Sequence, residues 1–191
     1  MTGKMKLYLG LLALGLLLVG GGLWFLYNPV PVIDIPEGTP VISEKLDYIM
    51  RGEFSYLYIY EDGSVIYIEE KGLRLPSPGH PPTRTWKTGK LQLEELNSLL
   101  EFVKNSGFEK LDEYYQFPGK PIEGGGFTMG DMGFTITIDY GNLNKTVTAF
   151  GYLTPDQGKT YPDMPYPLNE IYKKLKDIAE NKTEEVYRES I

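Results

Sequence analysis

Phe54-Ser-Tyr-Leu-Tyr-Ile-Tyr-Glu-Asp-Gly-Ser-Val-Ile-Tyr-Ile-Glu69 consists of two runs of β-branched, aromatic and polar residues around Asp62-Gly63. Asp-Gly favours a tight turn with positive φ, so the stretch reads as a β-hairpin. A two-residue turn there opposes Tyr60 to Val65, Ile59 to Ile66, Tyr58 to Tyr67, Leu57 to Ile68 and Tyr56 to Glu69. One face is then Leu57, Ile59, Ile66 and Ile68, and the other Tyr56, Tyr58, Tyr60, Val65, Tyr67 and Glu69. The aliphatic face is expected to turn inward.

A second hairpin is expected in Phe134–Phe150. A turn at Asn142-Leu143 opposes Ile138 to Val147 and Ile136 to Ala149, and leaves Thr135, Thr137, Asp139, Thr146, Thr148 and Phe150 on the other face. Each hairpin leads through a proline-containing connection to an amphipathic helix. Leu93, Leu96, Leu99, Leu100 and Val103 form one apolar stripe ending at Gly107; Leu168, Ile171, Leu175 and Ile178 form another, started by Pro167. The order ββαββα suggests an internal duplication. Two aliphatic sheet faces and two such helices bury one another best as an α+β two-layer sandwich. The expected fold is a four- to five-stranded antiparallel sheet with both helices on one face, behind an N-terminal transmembrane helix. Thr83–Thr88 is a candidate fifth strand.

The transmembrane expectation rests on Leu7–Tyr27, 21 residues without a charge. As a helix they span about 31 Å, the hydrocarbon thickness of a bilayer. Lys4 and Lys6 precede the run and no basic residue follows until Lys45, so the positive-inside bias leaves the amino terminus in the cytoplasm and the rest outside. The alternatives are a cleaved signal peptide, with Leu7–Val19 as its apolar region, and a buried core helix. Residues 1–27 are read as the anchor, 28–43, which include Pro29, Pro31, Pro36 and Pro40, as a stalk, 44–180 as the extracytoplasmic domain, and 181–191 as an acidic tail, either a helix extension or frayed.

Composition excludes several function classes. Beyond the apolar run the chain carries 17 basic and 26 acidic residues, a net charge of −9 that repels nucleic acid. It has no Cys and a single His, His80, which removes thiolate metal sites, disulfides and thiol nucleophiles and leaves little for histidine chemistry. No serine-nucleophile elbow, nucleotide-phosphate loop, zinc-protease helix or calcium loop occurs. The Gly-rich segment Gly124–Gly133 precedes a strand rather than a helix amino terminus, so it reads as a flexible loop and not a phosphate cradle. Met129 and Met132 alone are too few for copper. No cofactor, metal or catalytic residue is assigned. The island Lys71, Arg74, Arg84, Lys87 and Lys90 either touches lipid head groups or an acidic partner, or neutralises the protein's own acids.

The candidate binding residues are Tyr56, Tyr58, Tyr60 and Tyr67. Tyrosine is enriched where a partner buries a surface, because a large ring carries a polar tip. It is also simply a good strand residue, and a loop such as Lys120–Met132 covering that face is the alternative.

Tyr60-Glu-Asp-Gly63 in the first hairpin, Leu91–Leu100 leading to Gly107-Phe108, Phe134-Thr-Ile-Thr-Ile138 and Lys145-Thr-Val147 together resemble a family of cell-envelope domains of unknown function, found in lipoproteins or behind a single anchor. The resemblance spans about Phe54–Lys176 and implies neither an activity nor functional residues; the cysteine that lipoprotein members carry is missing. The reading that follows is a single-pass, membrane-anchored domain outside the cytoplasm that binds a protein or ligand through its tyrosine face and is not an enzyme. The rivals are an extracytoplasmic hydrolase using paired carboxylates, and a secreted, inhibitor-like binding protein released by signal cleavage.

Overall fold

The first hairpin closes on a three-residue loop, not a two-residue one. Tyr60 N–H donates to the Ser64 carbonyl at 2.9 Å and Gly63 N–H to the Tyr60 carbonyl at 2.9 Å, with Gly63 left-handed at φ +85°. The extra loop residue shifts the pairing by one, to Ile59 with Val65, Tyr58 with Ile66, Leu57 with Tyr67 and Tyr56 with Ile68. Such a slip turns one strand over. Val65 and Tyr67 join Leu57 and Ile59, while Ile66 and Ile68 join Tyr56 and Tyr58. The loop is held from outside as well. Asp62 accepts the Ser64 N–H at 2.9 Å, the Ser64 hydroxyl at 2.7 Å and the Lys90 ammonium at 2.7 Å, and Leu91 N–H donates to the Gly63 carbonyl at 2.8 Å.

The computed structural model describes residues 33–48, 52–72, 81–116, 120–121, 127–128, 132–150 and 165–191. Contacts divide the chain after Asp34, and the sheet and helices of the described residues lie in Ile35–Ile191. The segment read as a transmembrane helix, Leu7–Tyr27, lies outside the described residues, as do His80 and Met129. Among the described residues no helix is long and apolar enough to cross a membrane.

The strands are β1 (Ile42–Tyr48), β2 (Glu53–Ile59), β3 (Ser64–Lys71), β4 (Thr83–Lys90), β5 (Tyr114–Gln116), β6 (Lys120–Pro121), β7 (Phe127–Thr128), β8 (Met132–Tyr140), β9 (Leu143–Phe150) and β10 (Thr183–Ser190); α1 is Leu93–Asn105 and α2 is Tyr166–Asn181. Eight strands make one sheet in the order β10-β4-β3-β2-β1-β8-β9-β5, and β6 pairs with β7 in a second, two-stranded sheet. Neighbours in the large sheet are antiparallel except β5 and β9, which run parallel.

The expected four- to five-stranded antiparallel sandwich is therefore corrected to a sheet-dominated fold with a mixed eight-stranded sheet. Three features hid the additional strands. β1 starts inside the Pro-flanked stretch read as stalk, yet lies in the interior of the sheet between β2 and β8. β10 occupies the tail read as solvated, because an edge strand tolerates charge: Glu184 and Glu185 are exposed and Glu189 pairs with Arg84 of β4. β5 is too short to show a period. Four strands precede α1, five lie between α1 and α2 and one follows α2, so the ββαββα repeat is not present.

Both helices lie on one face. In α1 the spacing Leu96, Leu99, Leu100 and Val103 is buried as read, whereas Leu93 is 57% exposed. In α2 Leu168, Ile171, Tyr172, Leu175, Ile178 and Ala179 are buried, with Pro167 in the first turn. They form one core with Ile42, Leu57, Ile59, Val65, Phe134, Ile136, Ile138, Val147 and Ala149 from the sheet. Each fully buried aliphatic side chain contributes about 1.5–3 kcal/mol. The second hairpin turns at Gly141-Asn142, so Ile136 opposes Val147 and Ile138 opposes Lys145. Relative to the expected register this is a shift of two residues, which leaves both faces as read.

The last element is fixed by a close approach. Where α2 passes into β10, the Lys182 carbonyl lies directly over Gly89, and a β-carbon at that position would collide with it. Gly89→Ala is expected to lower unfolding stability by about 2–3 kcal/mol in urea titrations. An unchanged midpoint would mean that β10 does not dock there.

Candidate functional site

The sheet has one face under the helices and one that no described helix covers. On the open face the register lines up Tyr187, Trp86, Ile68, Tyr56 and Lys45 across β10, β4, β3, β2 and β1. Thr135 and Thr148 continue the row on β8 and β9 and hydrogen-bond through their hydroxyls at 3.1 Å. Tyr58 sits beside the fully enclosed Ile66 in the next row. Tyr56, Tyr58, Ile68, Trp86 and Tyr187 are half-buried, so this aromatic end of the sheet retains accessible apolar surface.

Of the four tyrosines singled out in the sequence, the structure brings two together here. Tyr56 and Tyr58 share the open face; Tyr60 is only 8% exposed at the turn. Burial pushes the Tyr60 hydroxyl above its usual range. Tyr56 is raised as well, by burial first and then by the Glu70 carboxylate. Tyr67 lies on the opposite face with Leu57, as the one-residue shift requires. Ile68 was missed because the two-residue register put it on the other face, and Trp86 and Tyr187 because β4 and β10 were not placed beside the hairpin.

On the helix face Tyr67 borders a cleft of about 210 Å³ between α2 and the ends of β1, β2 and β3. Lys87 stands 5.3 Å from its ring centroid, and its hydroxyl faces Glu69 at 3.5 Å. Burial raises this hydroxyl's pKa, a hydrogen bond with Ser55 opposes the rise, and the carboxylates of Glu69, Glu44 and Glu180 add to it.

Glu44 is the group the sequence reading overlooked. It occupies an inward position of β1 between Ile42 and Leu46, with Leu57 opposite on β2 and Ile136 opposite on β8. It is 7% exposed, and its buried Oε1 has no hydrogen-bond partner. Desolvation in these apolar surroundings raises its pKa to about 8, so it carries a proton at neutral pH. The signal was present: in Val41-Ile-Ser-Glu-Lys-Leu-Asp-Tyr48 a glutamate falls on the apolar phase of an alternating run.

Other candidates are weaker. A cleft of about 590 Å³ between α1 and the β8–β9 turn is lined by residues such as Asn97, Glu101, Lys104 and Tyr140 and contains no buried ionisable group. The described cations of the basic island are paired: Lys71 with Glu69 at 3.8 Å, Arg84 with Glu70 at 2.6 Å and Glu189 at 3.3 Å, Lys87 with Glu69 at 3.2 Å and Lys90 with Asp62 at 2.7 Å. This pattern fits neutralisation of the protein's own acids. Among the described residues no group of three or more His, Cys, Asp or Glu is placed to hold a metal ion. No family model matches the chain, and no curated protein matches it.

Glu44 also makes stability depend on pH. A carboxyl whose folded pKa lies above its unfolded value binds the proton more tightly when folded, so the stability it contributes is complete below about pH 4.5 and declines until about pH 8. Urea midpoints measured across that window are expected to fall for the natural chain relative to Glu44→Gln, which holds a neutral amide of the same shape. Parallel profiles for the two proteins would show that Glu44 is not protonated in the folded state.

Proposed function

We propose that the protein is a binding module, not an enzyme, displayed outside the cytoplasm, and that it contacts a protein or ligand through the open sheet face around Tyr56 and Tyr58. The observation that carries this reading is the row Tyr56, Ile68, Trp86 and Tyr187, half-buried side by side on a face that no described helix covers. Flat aromatic surface of this kind contributes large contact area at low cost in side-chain freedom, and each ring keeps a polar atom for the rim. The address is supported by the uncharged stretch Leu7–Tyr27 behind Lys4 and Lys6.

The hydrolase reading keeps one observation in its favour: a general acid must be protonated near neutrality, as Glu44 is.

The test places a photo-crosslinking amino acid at Tyr58 and, as control, at exposed Glu94 on α1, in the full chain expressed in its native membranes. A discrete heavier product from position 58, absent at 94 and lost in a Tyr56→Ser/Trp86→Ser background that still folds, is expected. Equal labelling at both positions would refute the face as a docking surface.

A further inference from the structure

We propose that Asn144 and Asn181 are acceptor sites for an N-linked saccharide; the inference rests on the reading that the domain lies outside the cytoplasm.

The sequence supplies the acceptor pattern twice. Asn144-Lys-Thr146 and Asn181-Lys-Thr183 are the two Asn-x-Ser/Thr triplets in the chain, neither has Pro in the middle, and both end in Thr. An acceptor asparagine must reach solvent, because a buried one is closed to so bulky a substituent. Both asparagines are exposed. Asn144 stands on β9 beside the turn at Gly141-Asn142, and Asn181 is the last residue of α2, ahead of β10.

The two side-chain amides are held alike. Asn144 Nδ2 donates to Asp139 Oδ1 across the β8–β9 hairpin at 3.2 Å, and Asn181 Nδ2 donates to Asp177 Oδ1 one helical turn back at 2.7 Å. An amide nitrogen carries two hydrogens, and each of these bonds uses one. The other is the one a saccharide replaces, so the modified side chain keeps its contact with the aspartate. In the transfer the bond from Asn Nδ2 to the anomeric carbon forms as the bond between that carbon and the phosphate oxygen of a polyisoprenoid-phosphate-linked saccharide breaks. The lipid phosphate leaves and the amide proton passes to solvent.

The surroundings of Asn144 suit a saccharide as well. It shares the open sheet face with Thr135, Thr137, Thr146 and Thr148, whose hydroxyls meet in pairs across β8 and β9 at 3.1 and 3.0 Å. Hydroxyls offer both donors and acceptors to a first sugar. From Tyr56 the site lies three strands across and four residues along. Ordinary strand spacing makes this about 14 Å in each direction. A saccharide there leaves the aromatic end of the face open to a partner.

The experiment is mass spectrometry of the full chain purified from its native membranes. Peptides containing Asn144 and Asn181 are expected to carry a common saccharide mass. The first peptide should lose it in Asn144→Gln and equally in Thr146→Ala, and the second in Asn181→Gln and in Thr183→Ala. Loss in the Thr variants, which keep the asparagine, separates recognition of the triplet from other chemistry at the amide. The address is read independently by labelling Glu94→Cys, the only cysteine in that variant, with a membrane-impermeant thiol reagent in intact cells. Glu94 is exposed on α1. Unmodified peptides in a chain that labels would overturn the inference and leave the address standing; unmodified peptides in a chain that does not label would overturn both. A saccharide that persists in Thr146→Ala and Thr183→Ala would refute the triplets as the signal, and each asparagine stands or falls by its own peptide.

Discussion

Which tyrosines of the first hairpin face the helices depends on one loop residue. The hairpin between β2 and β3 closes on three residues because Gly63 takes a left-handed backbone and Asp62 caps the loop through Ser64 and Lys90. A β-carbon on Gly63 would strike the Leu91 carbonyl, so the glycine is required by neighbouring chain as well as by φ. The register that follows decides which tyrosines meet the helices and which face away from them.

The consequence is a sheet with two chemically different sides. Beneath α1 and α2 lies an aliphatic core whose Phe134 stacks on Tyr172 with ring centroids 5.3 Å apart, and at its margin one carboxyl is held without a partner. Placing Glu44 among Ile42, Leu46, Leu57 and Ile136 opposes folding more than an apolar residue there would, and the surrounding aliphatic burial offsets it. A position that sacrifices stability in an otherwise well-packed core points to use rather than packing. The other side grades from aromatic residues on β2, β3, β4 and β10 to paired threonines on β8 and β9. Edge strand β10 limits further sheet growth through Glu184, Glu185, Arg188 and Glu189 and an irregular step between Glu185 and Tyr187.

Much of the local structure was legible in the sequence. Both hairpins, both helices, their buried stripes and the common face they occupy follow from period and turn chemistry. The register of the first hairpin was not, because Asp-Gly serves a two-residue turn and a three-residue loop equally well, and only contacts with Leu91 and Lys90 choose between them. That ambiguity alone moved Tyr67 from the expected binding face to the cleft. The sheet's extent was not legible either. β1 is interrupted in its apolar phase by Glu44, β4 is built from Thr, Arg, Lys and Gly with one Trp, and β10 reads as charged tail; each acquires its place from long-range pairing rather than local preference.

Cross-linking tests the register directly, since the chain has no native cysteine. Ser55 opposes Glu69 in the structure, whereas Tyr56 opposes it in the two-residue-turn register. Under mild oxidation the Ser55→Cys/Glu69→Cys protein should close a disulfide nearly completely while Tyr56→Cys/Glu69→Cys stays reduced, because the latter pair points to opposite faces. The reverse outcome would return Tyr67 to the side of Tyr56 and Tyr58 and contradict the two-faced sheet on which the proposed docking surface stands.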